Sequence, residues 1–142
     1  MPAPYRTIAC CIDGDPAADQ VLTEALALRA LSPGPLLAVH VVARPHALVA
    51  GPFAYVEPRS VLRSRAEEWI AERLADTPDL TPVLLDGYPP RVVCDWAAAN
   101  GVDLIVAAAH RGLVDRAMLG GFASYLAYHA PCPVLLVRPT PA

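Results

Sequence analysis

The 142-residue chain is 55% apolar and only 18% charged, with a net charge of −3 and a pI near 5.7, which fits one domain over residues 1–142 with a substantial core. All eleven of its basic side chains are arginines scattered along the chain, which excludes a P-loop lysine and a Schiff-base lysine and argues against a nucleic-acid-binding surface. No apolar run approaches the roughly 18 residues of a membrane span, and no basic segment followed by a long apolar one opens the chain, so no membrane association and a cytoplasmic location are expected.

In chain order, Tyr5 to Ile12 is an apolar run that reads as a first strand, and Asp13-Gly14-Asp15-Pro16 is a turn into a helix. Asp15 suits the cap and Pro16 the first helical turn. Val21, Leu22, Ala25, Leu26 and Leu28 fall largely on one helical face, and Ser32-Pro33-Gly34-Pro35 ends it. Leu36 to Val42 is a second strand, which makes a βαβ unit with parallel strands. Ala43 to Ser60, with three prolines and Gly51, reads as a long connection of the kind that serves as a lid or binding loop.

Ser60 is placed to cap a second helix in which Leu62, Ala66, Trp69, Ile70 and Leu74 recur at helical spacing, so Trp69 is expected to anchor the core. Thr81 to Leu85 reads as a third strand, Asp86-Gly87-Tyr88-Pro89-Pro90 as a turn, and the next segment as a helix burying Val92, Val93 and Trp96 and stopping at Asn100-Gly101. Leu104 to Ala109 is a fourth, unbroken apolar strand. A polar turn at His110, Arg111 and Gly112 follows, and Gly120-Gly121 open a last helix that stops before Pro131. Val134 to Val137 closes the pattern as a fifth strand. Five strands alternating with four helices make a doubly wound α/β domain.

Cys10, Cys11, Cys94 and Cys132 show neither metal-ligand nor disulfide-framework spacing, and Cys10 and Cys11, adjacent in a strand, are expected on opposite faces of the sheet as small buried hydrophobes. His40, His46, His110 and His129 form no dense ligand pattern, and no nucleophilic triad or elbow motif can be assembled. A glycine-bearing loop that leaves a strand and enters a helix, as between Ala109 and Gly121, aims backbone N–H groups and the positive helix end at one spot, which suits a phosphate or another anion.

Asp103-Leu104-Ile105-Val106, followed by His110, Gly112, Gly120 and His129-Ala130-Pro131-Cys132-Pro133-Val134, resembles the universal stress protein family. The resemblance implies a flavodoxin-like, adenine nucleotide alpha hydrolase-like fold with a five-stranded parallel sheet of order 3-2-1-4-5. The chain would then reverse between strands 1 and 4, so Asp13 and the loop from Ala109 to Gly112 would face one crevice. In nucleotide-binding members a Gly, two residues, Gly, nine residues, Gly, Ser/Thr pattern runs into the last helix. Here Ala109 stands at the first glycine, the segment Leu113 to Leu119 has seven residues, and Gly121 replaces the hydroxyl.

The loop is therefore degenerate, and the first expectation is a small regulatory or protective stress protein that binds little or no nucleotide. The alternative is an ATP- or AMP-binding sensor, with Mg²⁺ accompanying ATP and at most slow hydrolysis. Its site would comprise Cys11, Asp13, Val41, Ala109, His110, Arg111, Gly112, Gly120, Gly121 and Phe122. The second strand of the family contacts adenine through backbone, which falls at Val41, and Cys11 lies on the cleft wall. Asp13 would serve the ribose or a metal, or simply order the turn. Arg111 and Arg116 would pair with phosphate oxygens or remain solvated. The resemblance also implies a homodimer, with Val134 to Val137 as the pairing edge.

Overall fold

In the computed structural model, which describes residues 5–30, 34–43, 57–110 and 119–138, the two most apolar runs lie side by side at the centre of one sheet. These are β1 (Ile8–Cys11) and β4 (Leu104–Ala108), with Ile8 opposite Leu104. Around them lie β2 (Leu36–Ala43), β3 (Leu80–Gly87) and β5 (Val134–Val137), all parallel, in the order β3-β2-β1-β4-β5. β1 and β4, buried on both faces, need apolar residues at every position, which is why they run unbroken rather than alternating.

The helices are α1 (Ala17–Arg29), α2 (Arg59–Arg73), α3 (Pro89–Ala99) and α4 (Gly121–His129). Side chains alternate across the sheet. Ile8 and Cys10 pack with Val21 and Leu22 of α1 and Ile70 of α2, whereas Ala9 and Cys11 pack on the opposite face with Val93 and Ala97 of α3 and Leu126 of α4. The doubly wound architecture thus follows from one strand's parity. Trp69 packs against the first of these clusters, as its place on the apolar stripe predicts. Burial pushes the Cys10 thiol up to about 12, raises those of Cys11 and Cys94, and with the Asp103 carboxylate raises that of Cys132, so none is an activated thiol; Cys10 and Cys94 are buried, whereas Cys11, expected to be buried, and Cys132 are partly exposed.

Local chemistry explains most of the boundaries. Asp15 Oδ1 accepts the Ala17 N–H at 2.9 Å and starts α1. Gly101, at φ +64°, ends α3 by letting the Val102 N–H reach back to the Ala97 carbonyl at 3.1 Å. Two expectations are corrected. Ser60 does not cap α2: the helix starts at Arg59, behind Pro58, whose ring presets φ at −56° and whose carbonyl accepts the Val61 and Leu62 N–H groups. β3 extends beyond Thr81 to Leu85 at both ends, because all eight of its residues find partners along the equally long β2. Pro82 is tolerated there because β3 is an edge strand. The stretch 44–56 of the long connection lies outside the described residues, and among those described no helix is long and apolar enough to cross a membrane.

Candidate functional site

Where β1 and β4 end, the connections leave in opposite directions, and a cleft of about 620 Å³ opens over their carboxyl ends. That volume lies within the range of small-molecule sites, on the order of 300–1,000 Å³. Its floor and walls come from every element that the topology brings there: Asp13 and Gly14 after β1, Val39 to Val41 on β2, Tyr88 to Pro90 entering α3, His110 after β4, and Gly120 to Ala123 opening α4.

Val41 owes its role to the unequal lengths of β1 and β2. The Ile12 N–H donates to the Val39 carbonyl at 2.9 Å, so Val39 directs its backbone groups towards β1. Residues of equal parity in a strand point the same way, so Val41 aims its own N–H and C=O in that direction too. β1 pairs with β2 only as far as Cys11 opposite Val39. Past that point the Val41 backbone faces the cleft instead of a strand, and the Ile12 carbonyl, the next acceptor in the ladder, receives His40 Nδ1 at 3.0 Å. His40 is held there against the Trp69 ring, with centroids 4.6 Å apart. A paired donor and acceptor on one rigid strand can read the edge of a planar heterocycle.

The opposite wall is made by α4. Gly120 takes an extended conformation (φ −64°, ψ 162°) and no side chain caps the helix. Its N–H donates to the Ala109 carbonyl at 2.9 Å, while the Ser124 N–H is the first to bond back, to the Gly120 carbonyl. The N–H groups of Gly121, Phe122 and Ala123 are therefore the orphan donors of the first turn, and all three residues line the cleft. Together with the helix dipole they present positive potential to it.

Gly120 sits beside the end of β4: a Cβ there would stand in ordinary contact with the His110 Cα, at 3.4 Å. His110 itself is only 5% exposed, lines the cleft, and its Nδ1 is buried with no hydrogen-bond partner among the described residues. An unmatched buried polar atom costs about 1–3 kcal/mol and marks a place where a ligand or water completes the structure.

Of the residues singled out from sequence, Cys11, Asp13, Val41, His110, Gly120, Gly121 and Phe122 line this one cleft. Asp13 also orders its own turn, accepting the Asp15 N–H at 2.9 Å, as the structural reading expects. Ala109 lies beside the cleft and does not line it: it is 2% exposed, its φ is not positive, and its N–H and C=O are committed to the Val137 carbonyl and the Gly120 N–H. Arg111 and Gly112 lie outside the described residues.

The bond from Gly120 to Ala109 also bears on the shortened loop. It closes the base of the excursion, so the start of α4 is held to the end of β4 by this contact rather than by loop length. Sequence reasoning missed Tyr88, Pro89 and Pro90, having taken them as a plain turn. The signal was available, since the rule that ligands sit at strand carboxyl ends applies to β3 as well as to β1 and β4. Tyr88 is 66% exposed, an aromatic ring at the mouth.

A model of the universal stress protein family matches residues 4–138 of the chain. A universal stress protein of Thermus aquaticus is 32% identical over 137 residues, which are 94% of this chain and 99% of that protein. Among solved structures, the universal stress protein UspA from Lactobacillus plantarum superposes with a TM-score of 0.73 at 26% identity, covering 94% of this chain and 98% of its own. A universal stress protein family protein from Arabidopsis thaliana with AMP bound shares the fold, with a TM-score of 0.63 at 15% identity and coverage of 95% and 92%.

Proposed function

Because the chain belongs to the universal stress protein family, we propose that its cleft is an adenine-nucleotide sensing site, one that binds rather than turns over its ligand in the cytoplasm. The observation that carries this reading is the pairing of two backbone readers across one cavity. On one side stands the outward-facing Val41 peptide, beyond the end of β1; on the other stand the N–H groups that open α4. The first suits an adenine edge and the second a phosphate. Apolar Val39 and Pro89 in the same lining suit a stacked base.

The loop is degenerate by its residues, lacking the first glycine and the hydroxyl. Backbone donors do not depend on either. Ala109 reaches its conformation without a positive φ, so the missing glycine costs little there. AMP in the Arabidopsis relative supports adenosine monophosphate as the first ligand to try. ATP with Mg²⁺ is the second, with Asp13 the one acid among the described lining residues. A thermal-shift titration tests the reading. At a hundredfold excess over Kd, a ligand that binds only the folded state adds about 2.7 kcal/mol, and a saturable rise in Tm with AMP or ATP is expected. No shift with any adenine nucleotide at millimolar concentration would refute it.

The same reading includes a homodimer through β5. That strand is the free edge of the sheet next to β4, and Leu135 on it is 36% exposed. Light scattering is expected to give twice the 15.1 kDa chain mass at micromolar concentration; monomer alone would count against it.

A further inference from the structure

We propose that Tyr88 stacks on the base of the ligand in this cleft, and that it makes the site selective for a purine over a pyrimidine. The inference rests on the nucleotide reading above and adds the side chain that reads the face of the base.

Two helix starts open on the cleft, and their chemistry is opposite. α4 begins on glycines and presents backbone N–H groups. α3 begins on Tyr88, Pro89 and Pro90, and the two prolines remove the donors that its first two positions would otherwise carry. The α3 side is therefore an apolar platform. Tyr88 occupies the N-cap, where Ser, Thr, Asp or Asn would serve the helix better, and no side chain caps α3. Its ring is 66% exposed, and the one large hydrophobic more exposed among the described residues, Tyr128, does not line the cleft. A position that breaks the local capping rule and holds an aromatic ring in solvent beside a cleft marks a functional surface.

The stem of that ring is rigid. Gly87 takes φ +132°, a conformation that side chains rarely adopt. Pro89 restricts Tyr88 to its extended conformation (ψ 114°), and the Tyr88 carbonyl accepts the Val92 N–H at 3.0 Å. Little backbone order is left to impose on binding.

Placement follows from the sheet. The hydrogen-bonding groups of Val41 lie in the plane of the sheet, so a base held by them continues that plane past the end of β1. α3 covers the face onto which Val39 and Val41 project: Val39 packs with Val93 and Ala97, and Val41 packs against the same cluster. The first residues of α3 therefore stand over one face of such a base. Gly87, next to Tyr88, pairs with Ala43, two residues past Val41. Backbone reads the edge and the ring reads the face.

Selectivity follows from the division of labour. One N–H and one C=O match the edge of cytosine as well as that of adenine, because each base offers an amino donor beside a ring-nitrogen acceptor. Val41 alone does not separate them. Stacking does, because a purine lays two fused rings on Tyr88 and a pyrimidine only one.

The test is calorimetric titration of the full chain with AMP and CMP, for the native protein, Tyr88→Phe and Tyr88→Ser. Serine is a preferred N-cap, so unliganded Tyr88→Ser should melt at or above the native Tm. The native protein is expected to bind AMP about tenfold or more tightly than CMP. Tyr88→Ser should weaken AMP about tenfold and CMP by about threefold or less, and Tyr88→Phe should stay within about twofold of native for both. The ring protons of Tyr88 should move upfield on adding adenosine as they do with AMP, because the base alone suffices.

A folded Tyr88→Ser protein that binds AMP as tightly as the native one, or that keeps the native ratio of AMP to CMP, overturns the role of Tyr88 and leaves the nucleotide reading standing. A Tyr88→Phe protein that loses as much as Tyr88→Ser does the same. If no adenine nucleotide binds the native protein, both readings fall together.

Discussion

Restoring the missing hydroxyl by Gly121→Ser perturbs the proposed phosphate wall with little disturbance to the fold. Gly121 is the first residue of α4, is exposed, has no positive φ, and a Cβ built on it meets no atom within 4 Å. Serine there is sterically free. The unliganded helix should gain a few tenths of a kcal/mol, because glycine is the weaker helix former. The larger effect falls on the ligand. A hydroxyl beside the N–H groups of Phe122 and Ala123 adds one hydrogen bond to a charged phosphate, worth about 1.5 kcal/mol and so roughly tenfold in affinity. Calorimetric titration with AMP and adenosine reads it: AMP should tighten about tenfold and adenosine should not change. An unchanged or weakened affinity for AMP in a folded Gly121→Ser protein would refute the assignment of the α4 start as the phosphate wall.

Three further predictions concern the frame that holds the cleft. A Cβ at Gly34 would stand 1.7 Å from the Arg6 carbonyl oxygen, so Gly34→Ala must push β1 and β2 apart at their start; a loss of about 3 kcal/mol or more in chemical denaturation is expected, and a stable protein would contradict the close approach. Asp103 accepts the Arg6 and Thr7 N–H groups at 2.7 and 2.8 Å, tying the entries of β1 and β4 together, and Asp103→Ala should cost about 2–3 kcal/mol by the same assay while leaving nucleotide affinity intact. The Cys10 thiol is raised from 9.0 to about 12, so its contribution is fully present below the unfolded value and is lost as pH rises from there through the folded one. Between pH 9 and 10 the native protein should therefore lose about 1 kcal/mol more than Cys10→Ala, and parallel pH profiles would refute it.

Much of the frame is legible in the sequence. The unbroken apolar runs announce strands buried on both faces, and the pair Cys10-Cys11 separates onto the two faces as alternation requires. The strand order is not legible from periodicity, because nothing local to Ile8–Cys11 says that its neighbours are Leu36 and Leu104; the family resemblance supplied it. Boundaries failed where a neighbour overrode local signals: β2 templates β3 out to Gly87, and Pro58 starts α2 ahead of the better capping residue Ser60.

The site divides along the same line. Sequence places Asp13, His110 and Gly120 at strand and helix ends, and the cleft gathers them. What it cannot register is relative depth. The burial of His110 Nδ1, the freeing of the Val41 peptide by a shorter neighbouring strand, and the bond that pins Gly120 to Ala109 are each set by contacts between segments distant in sequence or across a loop.

The central claim is that one cleft reads base with Val41 and phosphate with the start of α4. It is tested most directly by following the backbone amides in a ¹H–¹⁵N spectrum during an AMP titration. The account predicts saturable shifts concentrated at Val41, Gly121, Phe122 and Ala123, with the last three silent when adenosine replaces AMP. Amides at these positions that stay still at millimolar AMP, or shifts centred elsewhere on the sheet, would contradict it.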